Sequence, residues 1–468
     1  MKQFQWRNWI LVVFLLISFA CKSISPENNL PTENQTQVSE NSTPASEAGD
    51  FSVNPVNNWL MFLGSKHWNV DVTHDTNGNA YVLEKLIPAN TDERYRMLYL
   101  RKISNNGQEE WQIPISETYS GSTDTLITDS TGNVYVAGSS GETWGSPKNS
   151  FSANGKLGLD VSVAKIDPNG NLLWNTFIGN SGSTTISLDN QGNLYLVKFD
   201  KQDTAKQSNY SLVKLDGDGN ILFDKTISGL SYVYPYLLTV ALNNNLYISG
   251  NYTDINGDLS SDLFIAKLTN TGELEWNKNV GGKGANASIA GIKAKIQVDS
   301  NGNTYVFGLS QASWGNPINP YDGGYEIDDP NYEWQNGLEN FIAKIDDNGN
   351  TVWNTFLNKS VWVYGTAMDD RGNLYFTGYS DTDWGNSVIK HNPNKNDDGF
   401  IALIDTNSGL ITWNIFVGGD GKDFIDGVTI LGNQIYVIGG TDTAFGNPLN
   451  KINSDGEIDR FISSISLR

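Results

Sequence analysis

Apolar and polar residues alternate with a period of two along most of this chain. In Val163-Ala164-Lys165-Ile166, for example, Ala164 and Ile166 fall on one side of a strand, and Val163 and Lys165 on the other. The alternating runs are short and are separated by clusters of Asp, Gly and Asn, and no helical period develops from Trp59 to Leu467. The pattern predicts many short strands joined by tight turns, an all-β chain.

The runs recur as a unit. A Trp-led strand is followed by a strand ending in Asp, a D-x-x-G-N turn, a strand carrying Tyr, and a strand ending in Lys-Ile-Asp or a relative of it. The tyrosine marker stands at Tyr81, Tyr135, Tyr195, Tyr247, Tyr305, Tyr375 and Tyr436, at spacings of 54, 60, 52, 58, 70 and 61 residues. Four strands per repeat at this period predict a β-propeller blade, and seven repeats predict seven blades. In the second blade, strands a to d are expected at Thr125–Asp129, Val134–Gly138, Ser162–Asp167 and Leu172–Ile178, with a nearest the hub.

Strand c recurs seven times, at 97–103, 161–167, 210–216, 262–268, 340–346, 399–405 and 460–467. Strand d also recurs seven times, but its first copy, Trp59-Leu60-Met61-Phe62-Leu63, precedes every c strand, and the last c strand has no d after it. The two orphans predict ring closure, with the N-terminal strand completing the last blade and removing an open edge.

The D-x-x-G-N-x-Y-x-x-G, F-I-A-K-I-D and W-N-T-F-I-G or W-N-I-F-V-G-G segments resemble the SBBP family of bacterial repeats, over about 400 residues. The fourth repeat is degenerate, with Phe223 for Trp and Asn243-Asn244-Asn245 for the turn. The resemblance implies a seven-bladed β-propeller with four antiparallel strands per blade, in an exported or surface setting, and implies no reaction.

Ahead of the repeats, Lys2 and Arg7 precede an apolar run from Trp9 to Phe19 that ends in Ala20-Cys21. A basic start, a short apolar stretch and a small residue before the cut predict a signal peptide over 1–20. Cys21 is the sole cysteine, and it resembles the lipidated residue of the bacterial lipobox, with Ser18 where that motif usually has Leu. Lipidation there would anchor the chain to a bilayer. The expected location is the outer membrane, on the surface or the periplasmic side, since Lys22 replaces the Asp that retains enteric lipoproteins at the inner membrane. Residues 21–56 are rich in Ser, Thr, Asn, Glu, Pro and Gln and read as a flexible tether, with a mean reach on the order of 30 Å, to a propeller over 57–468.

The net charge is −21, and loss of Lys2 and Arg7 with the signal peptide takes it to −23. Nucleic acid is excluded as a partner by that charge, and the chain is expected to be a soluble monomer on its tether.

Candidate chemistry is sparse. Asp216-Gly217-Asp218-Gly219-Asn220 looks like a calcium loop, but it lacks the twelve-residue span and closing Glu of an EF-hand, and turn chemistry accounts for it. His67, His74 and His391 have no metal-ligand spacing, so no metal and no cofactor is expected. A sialidase-like arginine trio is not in evidence, because Arg94, Arg96 and Arg101 share one blade and only Arg371 and Arg460 serve the others. A carboxylate pair for glycoside hydrolysis is spatial and stays open, and a resemblance to quinoprotein dehydrogenases is faint.

All the uniform a–b and c–d turns must lie on one face of the wheel, and the variable b–c and d–a links on the other, which is the expected binding face. Its longest loop, Leu309 to Glu339, carries Tyr325 and Trp334. Four b–c links begin alike, at Trp144, Trp314, Trp384 and Phe445, each followed by Gly. These aromatics read either as a rim for a protein or glycan ligand or as plugs that fasten each loop. Trp59, Trp111, Trp174, Trp276, Trp353 and Trp413 read as packing between blades. The expected function is a membrane-tethered, non-enzymatic binding scaffold, with an envelope assembly scaffold or a propeller hydrolase or oxidoreductase as alternatives.

Overall fold

The computed structural model describes residues 55–64, 67–86, 97–116, 125–152, 159–179, 185–199, 210–230, 233–253, 259–281, 288–289, 292–293, 295–325, 336–391, 397–452 and 457–467. Among them are seven four-stranded antiparallel meanders, at 67–116, 125–177, 186–226, 233–280, 295–356, 361–417 and 423–467, the last joined by 55–64. Each innermost strand touches the next, and the seventh touches the first. The protein is a seven-bladed β-propeller. In blade 7, Pro55–Gly64 pairs antiparallel with Asp459–Leu467, from Pro55 opposite Leu467 to Gly64 opposite Arg460, so the closing strand comes from the N-terminal side as expected.

One cross-strand row repeats in every blade. Strand register places b, c and d residues side by side as Tyr81–Lys102–Trp111, Tyr135–Lys165–Trp174, Tyr195–Lys214–Phe223, Tyr247–Lys267–Trp276, Tyr305–Lys344–Trp353, Tyr375–Leu403–Trp413 and Tyr436–Ser464–Trp59. Same-face neighbours across a sheet are the unit of its stabilisation. Here the Tyr and Trp rings of six blades sit 6.0 to 6.3 Å apart, tilted or edge-on.

The row faces the next blade and grips its c–d turn. Five indole N–H groups donate to the second residue of that turn: Trp59 to Asn105 O, Trp111 to Pro168 O, Trp174 to Gly217 O, Trp276 to Asp347 O and Trp353 to Thr406 O, at 3.0 to 3.3 Å. Lys102, Lys165, Lys267 and Lys344 donate to the same carbonyls as their blade's indole. Tyrosine hydroxyls reach the next blade's a–b turn, as Tyr247 to Gly302 O at 3.1 Å and Tyr436 to Gly78 O at 2.7 Å. The indoles are therefore packing residues between blades.

Two seams differ. Phe223 of blade 3 has no N–H to give, and Tyr195 reaches Asn270 O only at 3.4 Å. In blade 7, strands c and d come from distant parts of the chain and share no turn, so Trp413 is buried at 4% exposure in an apolar cluster with Leu60, Ile435 and Ile465 instead. Phe223 and the Asn243–Asn245 turn, one degenerate repeat in sequence, thus fall in blades 3 and 4, because the sequence repeat starts at strand d and the blade starts at strand a.

The turns are built as the sequence predicts. In Asp129–Asn133 the Asp129 carboxylate accepts the N–H groups of Thr131 and Asn133 and the Asn133 side-chain amide, while Gly132, at φ +82°, donates to Asp129 O. Burial alone would raise the pKa of Asp129, but the hydrogen bonds from Asn133 and Thr131 outweigh it and lower it. Asp216 holds Asp218 and Asn220 in the same way, so its oxygens serve the turn. Gly219 is doubly constrained: its φ is +82°, and a Cβ would lie 2.7 Å from the Trp174 ring.

Trp174→Ala is expected to cost about 3 to 5 kcal/mol in urea unfolding, and a melting shift under about two degrees would sink the seam assignment. Gly219→Ala, which keeps the turn's hydrogen bonds but clashes with that indole, is expected to cost about 1 to 3 kcal/mol; an unchanged midpoint would contradict the close approach. Asp129 has a depressed folded pKa, so its contribution is full above the unfolded value of about 3.9 and is lost as pH falls through the folded value. The stability difference between wild type and Asp129→Asn should therefore be constant near neutrality and shrink below about pH 4, and a gap that widens there would refute the turn's role.

Candidate functional site

The four repeated b–c loops are fastened to their blades. Strands b of blades 2, 5, 6 and 7 end in Ser140, Ser310, Ser380 and Thr441, whose hydroxyls donate to the carbonyl two residues on and accept that residue's N–H. The following aromatic turns back onto its own sheet edge-on or tilted: Trp144 against Phe177, Trp314 against Phe341, Trp384 against Phe376 and Phe400, and Phe445 against Phe62 and Phe461. The indole N–H groups of Trp144, Trp314 and Trp384 are buried and find no acceptor among the described residues, so packing alone holds them.

Beyond each aromatic the backbone runs along the outer strand and hydrogen-bonds to it. Lys148 N donates to Asn175 O and Phe177 N to Asn149 O in blade 2; Ile318 N to Asn354 O and Phe356 N to Asn319 O in blade 5; Leu449 N to Leu60 O in blade 7. In blade 6 the cover is a fifth strand, Ser387–Ile389, parallel to Ile411–Val417. The Asn after the seam Trp completes the fastening, as Asn175 donates to Trp144 O and Asn354 to Trp314 O. Of the two readings of Trp144, Trp314, Trp384 and Phe445, the contacts are those of plugs: the loops cover edge strands that would otherwise present unpaired backbone groups. Nothing in the W-N dipeptide signals that Asn role, since blade 4 carries it too, at Trp276-Asn277, where Asn277 donates to Gly229 O.

The longest loop is pinned twice. Tyr325 N donates to Leu338 O, Gly337 N donates back to Tyr325 O, and Asp322 N donates to Glu339 at 2.9 Å. Burial pushes the Glu339 carboxyl up to about 7, with the Asp322 N–H opposing and the Asp322 charge reinforcing the rise. Tyr325 packs edge-on against Trp362, which stacks on Tyr379, which stacks on Tyr364. Trp334 and Cys21 lie outside the described residues.

That aromatic series leads to the axis of the wheel, where the innermost strands enclose a channel of about 270 Å³. All seven blades line it, and its charged members are Asp71 of blade 1, Lys295 of blade 5 and Asp426 of blade 7. Asp71, Thr125, Thr185, Leu237, Lys295 and Gly365 hold the same place, four residues before the a–b turn. Asp426 sits at a register shift between Ile425 and Gly427, a bulge that re-aims its side chain.

Arg460 donates to Asp426 at 2.6 Å and lies 4.9 Å over the Phe424 ring. Asp71 accepts Leu126 N of blade 2 at 3.1 Å and Val72 N at 2.9 Å. Gln297 donates to Thr366. The Lys295 side chain makes no hydrogen bond or contact ion pair among the described residues; burial lowers its pKa, opposed by the charges of Asp71 and Asp426. Burial pushes Asp426 up to about 6, against the pull of Arg460 and Lys295, and pushes the Tyr364 hydroxyl up to about 12. Sequence reasoning passed over Lys295, Asp71 and Asp426.

The other titratable candidates are structural. His74 bridges blades 1 and 7 through Ile430 O at 2.8 Å, and His391 faces Asp398 at 3.8 Å and packs on Phe416. Arg101 is paired with Glu84 and Glu109 on the sheet of blade 1, and Arg371 lies in an a–b turn, so neither joins Arg460 beside Asp426; Arg94 and Arg96 lie outside the described residues. No group of three metal-ligating side chains occurs among the described residues.

No protein-family model matches the chain, and no curated protein does. Among solved structures it is similar to the Dos1 propeller, at 10% identity over 88% of this chain and 94% of that one, with a TM-score of 0.44. It is also similar to the β-propeller domain of the Trilobed protease from Pyrococcus furiosus, at 10% identity over 81% and 91%, with a TM-score of 0.42. A Hadza microbial sialidase matches at 10% identity over 74% and 71%, with a TM-score of 0.39. These are likenesses of architecture alone.

Proposed function

We propose that this chain is an exported bacterial lipoprotein of SBBP repeat type, anchored through Cys21, whose propeller is a non-enzymatic binding scaffold. The observation that carries the binding reading is the axial channel, a polar cavity lined from seven blades in a ring whose seams and outer edges are closed by repeated contacts. Its volume of about 270 Å³ falls just below the usual range for ligand pockets, roughly 300 Å³ upward, so only a small ligand would fit. With four of the long loops spent on covering edges, recognition centres on the channel and the Tyr325, Trp362, Tyr379 and Tyr364 series beside it. The N-terminal reading rests on the basic start, the apolar run and the sole cysteine at the cut, followed by a polar tether.

A propeller hydrolase is the second reading. It is favoured by two carboxylates in one channel, Asp71 and Asp426, the latter raised toward the range of a general acid.

Protease shaving of intact cells, with mass spectrometry of the released peptides and of the Cys21 peptide, tests the anchoring. Acylated Cys21 is expected. Release of propeller peptides would place the wheel on the surface and protection would place it in the periplasm, whereas an unmodified Cys21 or a retained signal segment would contradict the lipoprotein reading. Hydrolysis of a chromogenic glycoside panel that is lost in Asp426→Asn would overturn the non-enzymatic reading.

A further inference from the structure

The outer strand of a blade is an open edge, and three blades of this chain close theirs in one repeated way. In blades 2, 5 and 7 a Pro-x-Asn segment lies along strand d: Pro147-Lys148-Asn149, Pro317-Ile318-Asn319 and Pro448-Leu449-Asn450. The middle N–H donates to the carbonyl one place after the seam Trp, and the Asn accepts the N–H three places after it, through its backbone oxygen in blades 2 and 5 and through Oδ1 in blade 7. The middle side chain reaches the next blade's c–d turn, Ile318 against Gly409 and Leu449 against Gly107. Blade 6 is covered by Ser387–Ile389, and in blade 1 the residue three after Trp111 is Pro114, which has no N–H to offer.

Blade 3 has neither device. Asp224 and Thr226 stand one and three places after Phe223, and Ile227 N donates inward to Tyr210 O, so the Thr226 N–H before it points outward. The Asp224 carbonyl and the Thr226 N–H make no hydrogen bond on that outer side among the described residues. Every residue of Ile221–Thr226 except Phe223 is exposed, Leu222 at 53%. The blade 4 edge is uncovered too among the described residues, but it shows solvent Glu275, Asn277 and Asn279 rather than aliphatic side chains. We infer that the blade 3 edge is a docking site for an extended, uncharged Pro-aliphatic-Asn segment of a partner protein, added along Ile221–Thr226 as the covers are added to the other blades. Its Asn accepts the Thr226 N–H, its middle N–H donates to Asp224 O, and its middle side chain lies toward the blade 4 turn at Gly272. Charge complementarity selects an uncharged segment, because Asp224 is already paired with Lys198 at 2.5 Å and Lys225 with Glu273, which leaves backbone groups and the aliphatic Ile221 and Leu222 to be met. A partner protein fits better than a second copy, whose described covers in blades 2, 5 and 7 are each engaged on their own blade. This surface is independent of the channel.

Fluorescence anisotropy of the full chain with a labelled nine-residue peptide of sequence 313–321, the blade 5 cover itself, tests this. The peptide is expected to bind with Kd below about 100 μM. N-methylation of its Ile, which removes the middle N–H, should weaken binding at least about tenfold, and so should Thr226→Pro in the protein, which copies the place of Pro114. Hydrogen exchange at the Thr226 amide should be fast in the free protein and slowed at least about tenfold by the peptide; this readout and the N-methylated peptide decide the matter if Thr226→Pro fails to fold. The inference is overturned if the peptide does not bind at about 1 mM, or if the N-methylated form or folded Thr226→Pro binds as well. A Thr226 amide already protected in a monomer would assign the edge to the chain's own link at 200–209, and a concentration-dependent dimer lost in Thr226→Pro would assign it to a second copy; either result overturns the partner segment.

Discussion

One inter-blade contact, made across five of the seven seams, does most to hold this wheel together. A Tyr–Lys–Trp row crosses strands b, c and d, and its polar ends converge on the second carbonyl of the neighbouring c–d turn. The contact explains why the repeat contains what it does. The Trp supplies apolar area and one N–H, and the Lys supplies a charge that lies over the Tyr ring, at 4.8 Å in blade 2. The turn supplies an oriented carbonyl, and its Gly supplies a surface flat enough for the indole to rest on. A blade alone would bury little of this, so the ring is the unit of stability, and closure of blade 7 by strands from both ends of the described chain makes that unit continuous.

With neighbours fixed at turn and sheet, the inner strands are held at a set spacing, and the channel between them inherits that rigidity. The charged groups there are placed by strands rather than by loops, with Asp426 turned inward by a bulge. A ligand would meet groups already in position, which lowers the ordering cost of binding. The outer edge is managed separately, by loops that fold down over strands d of blades 2, 5, 6 and 7.

How much of this could be read from sequence depends on whether the signal was local. The turn residues Asp129, Gly132 and Asn133 satisfy one another within five positions, and the Tyr and Trp markers recur in step, so blade count, strand identity and closure were all legible. The destination of the long loops was not. Trp144 and Asn175 lie 31 residues apart, and only the folded register brings the Asn amide to the Trp carbonyl. The channel was hidden for a further reason: its charged residues break the repeat. Lys295 occupies the place of Thr125 and Thr185, and a reading that searches for recurrence passes over the positions that differ from blade to blade.

Blade 3 offers a natural variant of the seam, because Phe223 stands where the other d strands carry Trp and no indole bond crosses to blade 4. Native-state hydrogen exchange of the intact protein can compare the amides of the blade 4 turn, Gly272 and Glu273, with those of the blade 3 turn, Gly219 and Asn220, which Trp174 grips. If the Tyr–Lys–Trp contact sets the stability of the ring, the blade 4 turn exchanges faster than the blade 3 turn. Equal protection at the two turns, or slower exchange in blade 4, would contradict the account.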